Sequence, residues 1–249
     1  MMMRTLLLLF VLILSLKASE INIAVAANVS YAIEALKDAF KIEHPEVNVR
    51  VTLGSSGKLT AQIKNGAPYG LFMSANMRYP IALYDDNLTL TQPKVYAQGT
   101  LALFSIHDYN LSGTLRLLED DNIERIAIAN PKTAPYGIAA AEALRHQQLY
   151  DLLEHKFVYG ESISQTLFYT VTAADIGIIA KSSLFSDKMK MYKEGKNWVS
   201  IDTSFYSPIE QGIVLLKYGE DAPAYQLFYD FIFTSKAQKI LKAYGYIVK

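Results

Sequence analysis

Two consecutive segments decide the predicted fold: INIAVAANVSYAIEALKDAF, residues 21–40, and VNVRVTLGSSGKLTAQIK, residues 47–64. Each segment starts with a short β-rich run, passes through a turn of small residues, and continues at helical spacing. In the first segment, Val29, Ile33 and Phe40 fall on one face of the predicted helix. The valines that open the second segment alternate, as they do in a strand with one buried face. The pattern therefore predicts two successive βα units.

The rest of the chain repeats this alternation. A strand-like run at 126–129 is followed by a helix-like segment at 138–149, and a strand-like run at 176–180 is preceded by a helix-like segment at 164–173. Alternating βα units predict mixed sheets with helices on their faces, and so many short elements suit two small lobes better than one large sheet. We therefore predict an α/β protein with two lobes and a ligand cleft between them. In such sheets the ligand lies beyond the carboxyl ends of the strands.

The composition excludes several classes of protein. The 249 residues include 24 basic and 24 acidic side chains without any basic run, which argues against a nucleic-acid partner. The absence of cysteine excludes disulfides, thiolate metal sites, a cysteine nucleophile and a lipidated N-terminal cysteine. A chain without thiols also suits an oxidising compartment.

Residues 1–19 predict a signal peptide, and hence a periplasmic protein. A positive charge is supplied by Arg4, and an apolar run from Leu6 to Leu16 is too short to span a bilayer comfortably. Small residues at Ala18 and Ser19 offer a cleavage site. The alternative, an N-terminal membrane anchor, stays open. Removal of the peptide removes two basic residues and leaves slightly more acidic than basic side chains. Because the net charge then does not favour anion binding, any anion site must depend on the residues that line it.

Four strand-to-helix turns share a chemical character that suits anion binding, because each combines small and polar residues with exposed backbone N–H groups. They lie at 26–30, 54–58, 131–137 and 160–164. Helix N-termini carry a partial positive charge and bind anions without Lys or Arg. If four such ends converge on one point, neutral donors could hold a dianion. The alternative is ordinary N-capping, in which Asn28, Ser56 and Ser162 serve only their own helices.

Short motifs in a specific order extend this interpretation. The first half of the chain contains AAN (26–28), GSSGKL (54–59), NGAP (65–68) and LFMSA (71–75). The second half contains PYG (135–137), EAL (142–144), IGI (176–178) and the terminal YG (244–245). In these motifs and their order, the chain resembles the periplasmic molybdate-binding proteins over nearly all of its mature length.

This resemblance implies a type II periplasmic-binding fold, in which two crossover strands join the lobes. We expect residues 20–98 together with 206–249 to form lobe 1, and residues 99–205 to form lobe 2. The resemblance also implies that a tetrahedral oxyanion, molybdate or tungstate, is held by hydrogen bonds without a cofactor or a metal cation. The expected partner is an inner-membrane ABC permease, to which a monomeric binding protein delivers the ion.

Matched motif by motif, the resemblance places the ligand positions at Asn28, Ser56, Ala75, Tyr136 and Ile163. It implies that Ala75 and Ile163 donate only through backbone N–H groups, whereas Asn28 and Ser56 could also use their side chains. Whether Tyr136 uses its hydroxyl or its backbone N–H stays open.

The chain also departs from the pattern of this family. Many members have Ser in place of Asn28, some have Ala in place of Tyr136, and some have a ligand-contacting Tyr in place of Ala180. In addition, Gly70 and Asn76 stand where Asp is usual. These departures leave the donor list open, but not the location of the site.

Two other functions stay open. The nearer is a receptor of the same fold for another oxyanion such as sulfate, and the more distant is a secreted enzyme. The four histidines show no metal-ligand spacing, and no Gly-x-Ser-x-Gly elbow is present. Residues 54–60 lack the glycine spacing of a P-loop, so we interpret Lys58 as a solvated helix residue.

Overall fold

The computed structural model of the protein describes residues 19–248, except for the side chains of residues 113 and 114. The predicted signal peptide, apart from Ser19, lies outside the described residues. Within the described range, no helix is both long enough and apolar enough to cross a membrane.

Strands and helices alternate along most of the described chain. The strands are β1 (Ser19–Ala26), β2 (Val47–Gly54), β3 (Leu71–Met73), β4 (Lys94–Gly99), β5 (Leu101–Phe104), β6 (Ile126–Ala129), β7 (Phe157–Gly160), β8 (Ile176–Ala180), β9 (Trp198–Ser200) and β10 (Ile209–Leu215). The α-helices are α1 (Ile33–Glu43), α2 (Ser56–Lys64), α3 (Arg78–Asp85), α4 (Pro135–His146), α5 (Tyr150–Leu153), α6 (Ile163–Thr172), α7 (Pro223–Ile232) and α8 (Ser235–Ala243). Short 3-10 helices include Ala27–Val29 and Leu111–Glu119.

The strands form two five-stranded mixed sheets. The first has the order β2-β1-β3-β10-β4, in which β1 is parallel to β2 and β3, whereas β10 is antiparallel to β3 and β4. The second has the order β7-β6-β8-β5-β9, in which β6 is parallel to β7 and β8, whereas β5 is antiparallel to β8 and β9.

Parallel pairing brings the predicted turns to one edge of each sheet. At the end of β1, Ala26 lies opposite Gly54 at the end of β2. At the end of β6, Ala129 lies opposite Gly160 at the end of β7. Two of the four turns therefore leave the carboxyl edge of each sheet, where ligands bind in open α/β folds.

The chain passes between the sheets twice. Strand β4 of the first sheet ends at Gly99, and β5 of the second begins at Leu101, so only Thr100 separates them. The return passes from β9 of the second sheet to β10 of the first. The lobe limits given above, at residues 98/99 and 205/206, stay a prediction.

Each sheet has its own apolar core. Fully buried Leu36 and Phe40 of α1 pack with Phe228 of α7 against the first sheet, and burying such a side chain contributes about 1.5–3 kcal/mol. Alanines of α4, including Ala140 and Ala143, pack against the second sheet. Helix α4 begins at Pro135, earlier than the predicted start at residue 138, because proline suits the first helical position, where no N–H is needed.

Candidate functional site

The four turns meet at one small cleft. It is lined by all five predicted ligand positions, Asn28, Ser56, Ala75, Tyr136 and Ile163, and otherwise only by Ala, Gly, Ser and Pro. All five positions are buried, at 6% exposure or less. No lining residue is charged, and the described residues contain no group of His, Cys, Asp or Glu that could hold a metal ion.

The first turn contributes Asn28, whose side chain is bonded within the protein. Its Nδ2 donates to Gln211 Oε1 at 3.0 Å and to the Tyr246 hydroxyl at 3.1 Å. Its backbone carbonyl accepts from that same hydroxyl at 2.7 Å. Both amide protons therefore have acceptors, and the Asn28 group that can donate into the cleft is its backbone N–H. The Oδ1 atom is buried without a hydrogen-bond partner among the described residues.

In the second turn, one serine caps helix α2 and the next serine has a hydroxyl that can bind a ligand. The hydroxyl of Ser55, the N-cap of α2, accepts from the Lys58 N–H at 3.4 Å. The hydroxyl of Ser56 instead accepts from the Ala75 N–H at 2.9 Å. Because that bond uses an oxygen lone pair, the Ser56 hydroxyl keeps its proton available for an anion. The Ala75 N–H is engaged by Ser56, so in this conformation Ala75 orients the serine.

The third and fourth turns offer backbone donors. The Tyr136 hydroxyl accepts from Gln211 Nε2 at 3.1 Å, and a Cβ added at Gly99 would lie 2.0 Å from its oxygen. This hydroxyl therefore packs against β4 and β10. Both Tyr136 and Ile163 lie in the first turns of their helices, where N–H groups have no intrahelical acceptor. The cap of α6 is Ser162, as ordinary N-capping predicts.

The departures at Gly70 and Ala180 lie outside the cleft lining. A side chain at Gly70 would collide with the Tyr225 ring, since its Cβ would lie 2.3 Å from a ring carbon. Ala180 ends β8 and is buried in the core of the second sheet.

Burial keeps the tyrosines behind the cleft neutral. It raises the pKa of Tyr136 and Tyr96 well above the usual value, and that of Tyr246 to about 12. Their hydroxyls therefore carry no negative charge near neutral pH that could repel an anion. The positive potential of the site comes from the helix N-termini.

Direct hydrogen bonds join the two sets of turns across the cleft. The Gly57 N–H of α2 donates to Thr133 O at 3.0 Å, and Ser164 Oγ of α6 donates to Ala27 O at 2.8 Å. At the rim, Lys58 Nζ pairs with the Glu161 carboxylate. Lys58 is an exposed residue of α2, as interpreted from the sequence, and it also forms an ion pair between turns of different sheets. Together these contacts describe a closed cleft.

Several residues behind the cleft were not recognised from the sequence. Besides Gln211 and Tyr246, they include Tyr96, which donates to Gln211 Oε1 at 2.7 Å, and Ser182, which donates to the Asn28 carbonyl at 3.3 Å. One signal was available for Gln211. It shares the buried face of a strand with Ile209 and Ile213, and a polar residue on such a face is unusual.

The chain and its fold are similar to known proteins. A family profile described as bacterial extracellular solute-binding protein matches residues 21–247. The chain is 33% identical to the molybdate-binding protein ModA of Azotobacter vinelandii over 232 residues, 92% of this chain and 90% of that protein. It is 34% identical to ModA of Rhodobacter capsulatus over 234 residues, 93% of this chain and 90% of that protein.

The fold is similar to a solved structure from the same group. The A. vinelandii periplasmic molybdate-binding protein superimposes with a TM-score of 0.85 at 30% sequence identity, over 92% of this chain and 99% of that one. These similarities confirm the predicted two-lobed α/β fold. They also confirm the prediction of a solute-binding protein and not an enzyme.

Proposed function

We propose that this chain, which belongs to the bacterial extracellular solute-binding proteins, binds molybdate and delivers it to an ABC permease. The observation that carries the proposal is the convergence of helix starts from both sheets on one uncharged, buried cleft. Similarity to two molybdate-binding proteins over nine tenths of the chain supports molybdate as the ion. We extend the proposal to tungstate, which shares the charge and the tetrahedral shape of molybdate.

The proposed site consists of Asn28, Ser56, Ala75, Tyr136 and Ile163. We assign the backbone N–H groups of Asn28, Tyr136 and Ile163, and the hydroxyl of Ser56, as donors. The N–H of Ala75 holds the Ser56 oxygen, so that the serine proton can turn toward the anion.

Hydrogen bonds from neutral donors can supply most of the binding free energy. A hydrogen bond to a charged partner contributes about 1.5–3 kcal/mol, so the four assigned donors contribute about 6–12 kcal/mol. Nanomolar binding requires roughly 12 kcal/mol beyond an association cost of at least about 4 kcal/mol, so further N–H groups of the helix starts must also donate. Each helix start exposes several N–H groups without intrahelical acceptors, and the closed cleft strengthens every bond by excluding water.

Selectivity follows from the size of the cleft and from its neutrality. Sulfate has the same charge and shape as molybdate but is smaller, so we expect it to contact the donors of the two sides less closely. A carboxylate ligand would favour an arginine fork, and no arginine lines the cleft.

The remaining parts of the proposal concern location and partners. The extracellular character of the family supports a protein that works outside the cytoplasmic membrane, in the periplasm. We propose that it acts as a monomer and that the permease recognises the closed, loaded form.

Thermal unfolding with and without ions tests this function. A ligand at a thousand times its Kd adds about 4 kcal/mol to the folded state, and each kcal/mol raises the Tm of a chain of this size by about 2–4 °C. We expect molybdate and tungstate to raise the Tm by roughly 8–16 °C under those conditions, and equimolar sulfate to raise it far less. An equal rise with sulfate would favour the alternative, a receptor for another oxyanion.

A further inference from the structure

We propose that Gln211 is a positioning residue for the anion site, although it does not line the cleft. Its amide fixes the orientation of Asn28 and anchors Tyr136, so that the first and third turns present their N–H groups to the ion. The inference rests on the proposed function of the cleft as an oxyanion site.

The surroundings of Gln211 require a specific hydrogen-bond pattern. The residue is fully buried in β10, where the register with β4 shifts between Gln211 and Gly212. A buried amide is costly unless its polar atoms are paired. Its Oε1 accepts from the Tyr96 hydroxyl at 2.7 Å and from Asn28 Nδ2 at 3.0 Å, and its Nε2 donates to the Tyr136 hydroxyl at 3.1 Å. The Gln211 side chain thereby joins β10, β4, α4 and the first turn.

This pattern determines which way the Asn28 amide points. The Tyr246 hydroxyl gives its proton to the Asn28 carbonyl, so toward the Asn28 side chain it can only accept. Gln211 Oε1 likewise only accepts. A flipped Asn28 amide would set its oxygen against both of these acceptors, which is unfavourable. Gln211 and Tyr246 therefore jointly hold Nδ2 away from the anion, and the backbone N–H of Asn28 carries the interaction.

The same residue connects the first sheet to the second. Tyr136 belongs to α4, which packs against the second sheet, whereas Gln211 lies in the first sheet on the strand that follows the return crossover. Gly99, the last residue of β4, leaves the space for this contact, because a Cβ there would lie 2.8 Å from Gln211 Nε2. The Tyr136 ring is thus held where the start of α4 faces the cleft.

Two substitutions test the role of Gln211 by calorimetric titration with molybdate. Gln211→Met keeps the length of the side chain but leaves the bonds of Asn28, Tyr96 and Tyr136 without their common partner. We expect molybdate affinity to fall at least about tenfold, as expected for the loss of one well-oriented bond to a charged ligand. Gln98→Met on the neighbouring strand β4 is the matched control and should leave affinity unchanged.

Gln211→Glu provides a readout that a purely structural residue would not give. A protonated carboxyl can fill the two roles that the amide has here, since its O–H donates and its other oxygen accepts, whereas the ionised form places a buried negative charge behind an anion site. Burial raises the pKa of a carboxyl, in documented cases to about 8–9. Affinity should therefore be near that of the wild type at about pH 6 and should fall steeply toward about pH 9.

The groups facing position 211 do not produce this pH dependence themselves. Tyr96, Tyr136 and, beyond Asn28, Tyr246 stay protonated in this range, because burial raises the pKa of each. The wild type should bind equally well across it. Unchanged affinity in Gln211→Met, or a flat profile in Gln211→Glu, would overturn the inference alone. Failure of the wild type to bind molybdate would overturn the proposed function, and this inference with it.

Discussion

At the scale of single residues, Ser56 has the most narrowly defined role in the cleft. Its oxygen accepts from the Ala75 N–H, and its proton is left for a ligand. We predict that Ser56→Ala weakens molybdate binding about ten- to a hundredfold, because one hydrogen bond to a charged partner contributes about 1.5–3 kcal/mol. Calorimetric titration of the two proteins measures this difference.

The neighbouring serine is the matched control for that substitution. Ser55→Ala removes the N-cap of α2 and should lower the free energy of unfolding by about 1 kcal/mol. It should change molybdate affinity much less than Ser56→Ala does. If Ser56→Ala lowered only the stability of the ligand-free protein and left affinity intact, Ser56 would have no ligand role.

The four turns that surround the cleft were predictable from the sequence pattern, because each follows a recognisable strand and precedes a recognisable helix, whereas the five ligand positions came from the family resemblance. The sequence was not sufficient to predict which atoms face the ion. The amide of Asn28 is oriented by Gln211 and Tyr246, which lie 183 and 218 positions away in the chain. Such pairings depend on the packed sheet and leave no local pattern.

At the scale of secondary-structure elements, the start of α2 controls how closely the turns approach each other. Gly57 donates to Thr133 O across the cleft, and a Cβ at Gly57 would lie 2.9 Å from that oxygen and from the Tyr79 hydroxyl. The collision with Thr133 O crosses the cleft and arises on closure, whereas Tyr79 belongs to α3, on the same side of the cleft as Gly57. The glycine therefore permits the close approach of the two sides.

We predict that Gly57→Ala reduces molybdate affinity at least about tenfold while the ligand-free protein stays as stable as the wild type or becomes slightly more so. Alanine is favoured over glycine in helices by roughly 0.5–1 kcal/mol, so stability and affinity should move in opposite directions. Urea denaturation and calorimetry together measure both. Wild-type affinity in this variant would show that the Gly57–Thr133 contact does not accompany binding.

Element types were predictable where periodicity was strong, as in β1, α1 and β2. The order of strands in the sheets was not. Strand β10 inserts between β3 and β4 although nearly half the chain separates it from them. Its apolar sequence suits a buried strand in either sheet, so only tertiary packing decides where it pairs.

At the scale of the whole molecule, the buried tyrosines couple stability to alkaline pH. An unfolded tyrosine loses its proton near pH 10, whereas burial raises the pKa of Tyr246 in the folded protein to about 12 and those of Tyr96 and Tyr136 well above 10. Their stabilising contribution is complete below pH 10 and is lost as the pH rises through the folded-state pKa values.

We therefore predict that the free energy of unfolding falls between pH 10 and 12, the ordinary and the raised pKa of Tyr246, by up to about 1.4 kcal/mol per pH unit for each such tyrosine. Urea denaturation at several pH values gives this slope, and Tyr246→Phe should reduce it by the share of one residue. Equal slopes in the two proteins would mean that Tyr246 titrates normally in the folded state.

Binding and closure are linked because the proposed donors belong to turns of both sheets. An anion that contacts both sets binds the closed arrangement better and shifts the population toward it. The exposed pair of Lys58 and Glu161 at the rim, with about half or more of each side chain accessible, contributes little by comparison, since such pairs are worth about 0–1 kcal/mol. Anion binding and closure are therefore coupled mainly through the backbone donors of the cleft.

Calorimetric titration of the mature protein with molybdate, and in parallel with sulfate, tests the central claim most directly. We predict one molybdate per chain with a Kd in the nanomolar range, about −12 kcal/mol, and sulfate weaker by a factor of roughly a thousand, about 4 kcal/mol. No heat of molybdate binding, or the same affinity for both ions, would contradict the account of the cleft as a neutral-donor site sized for the larger oxyanion.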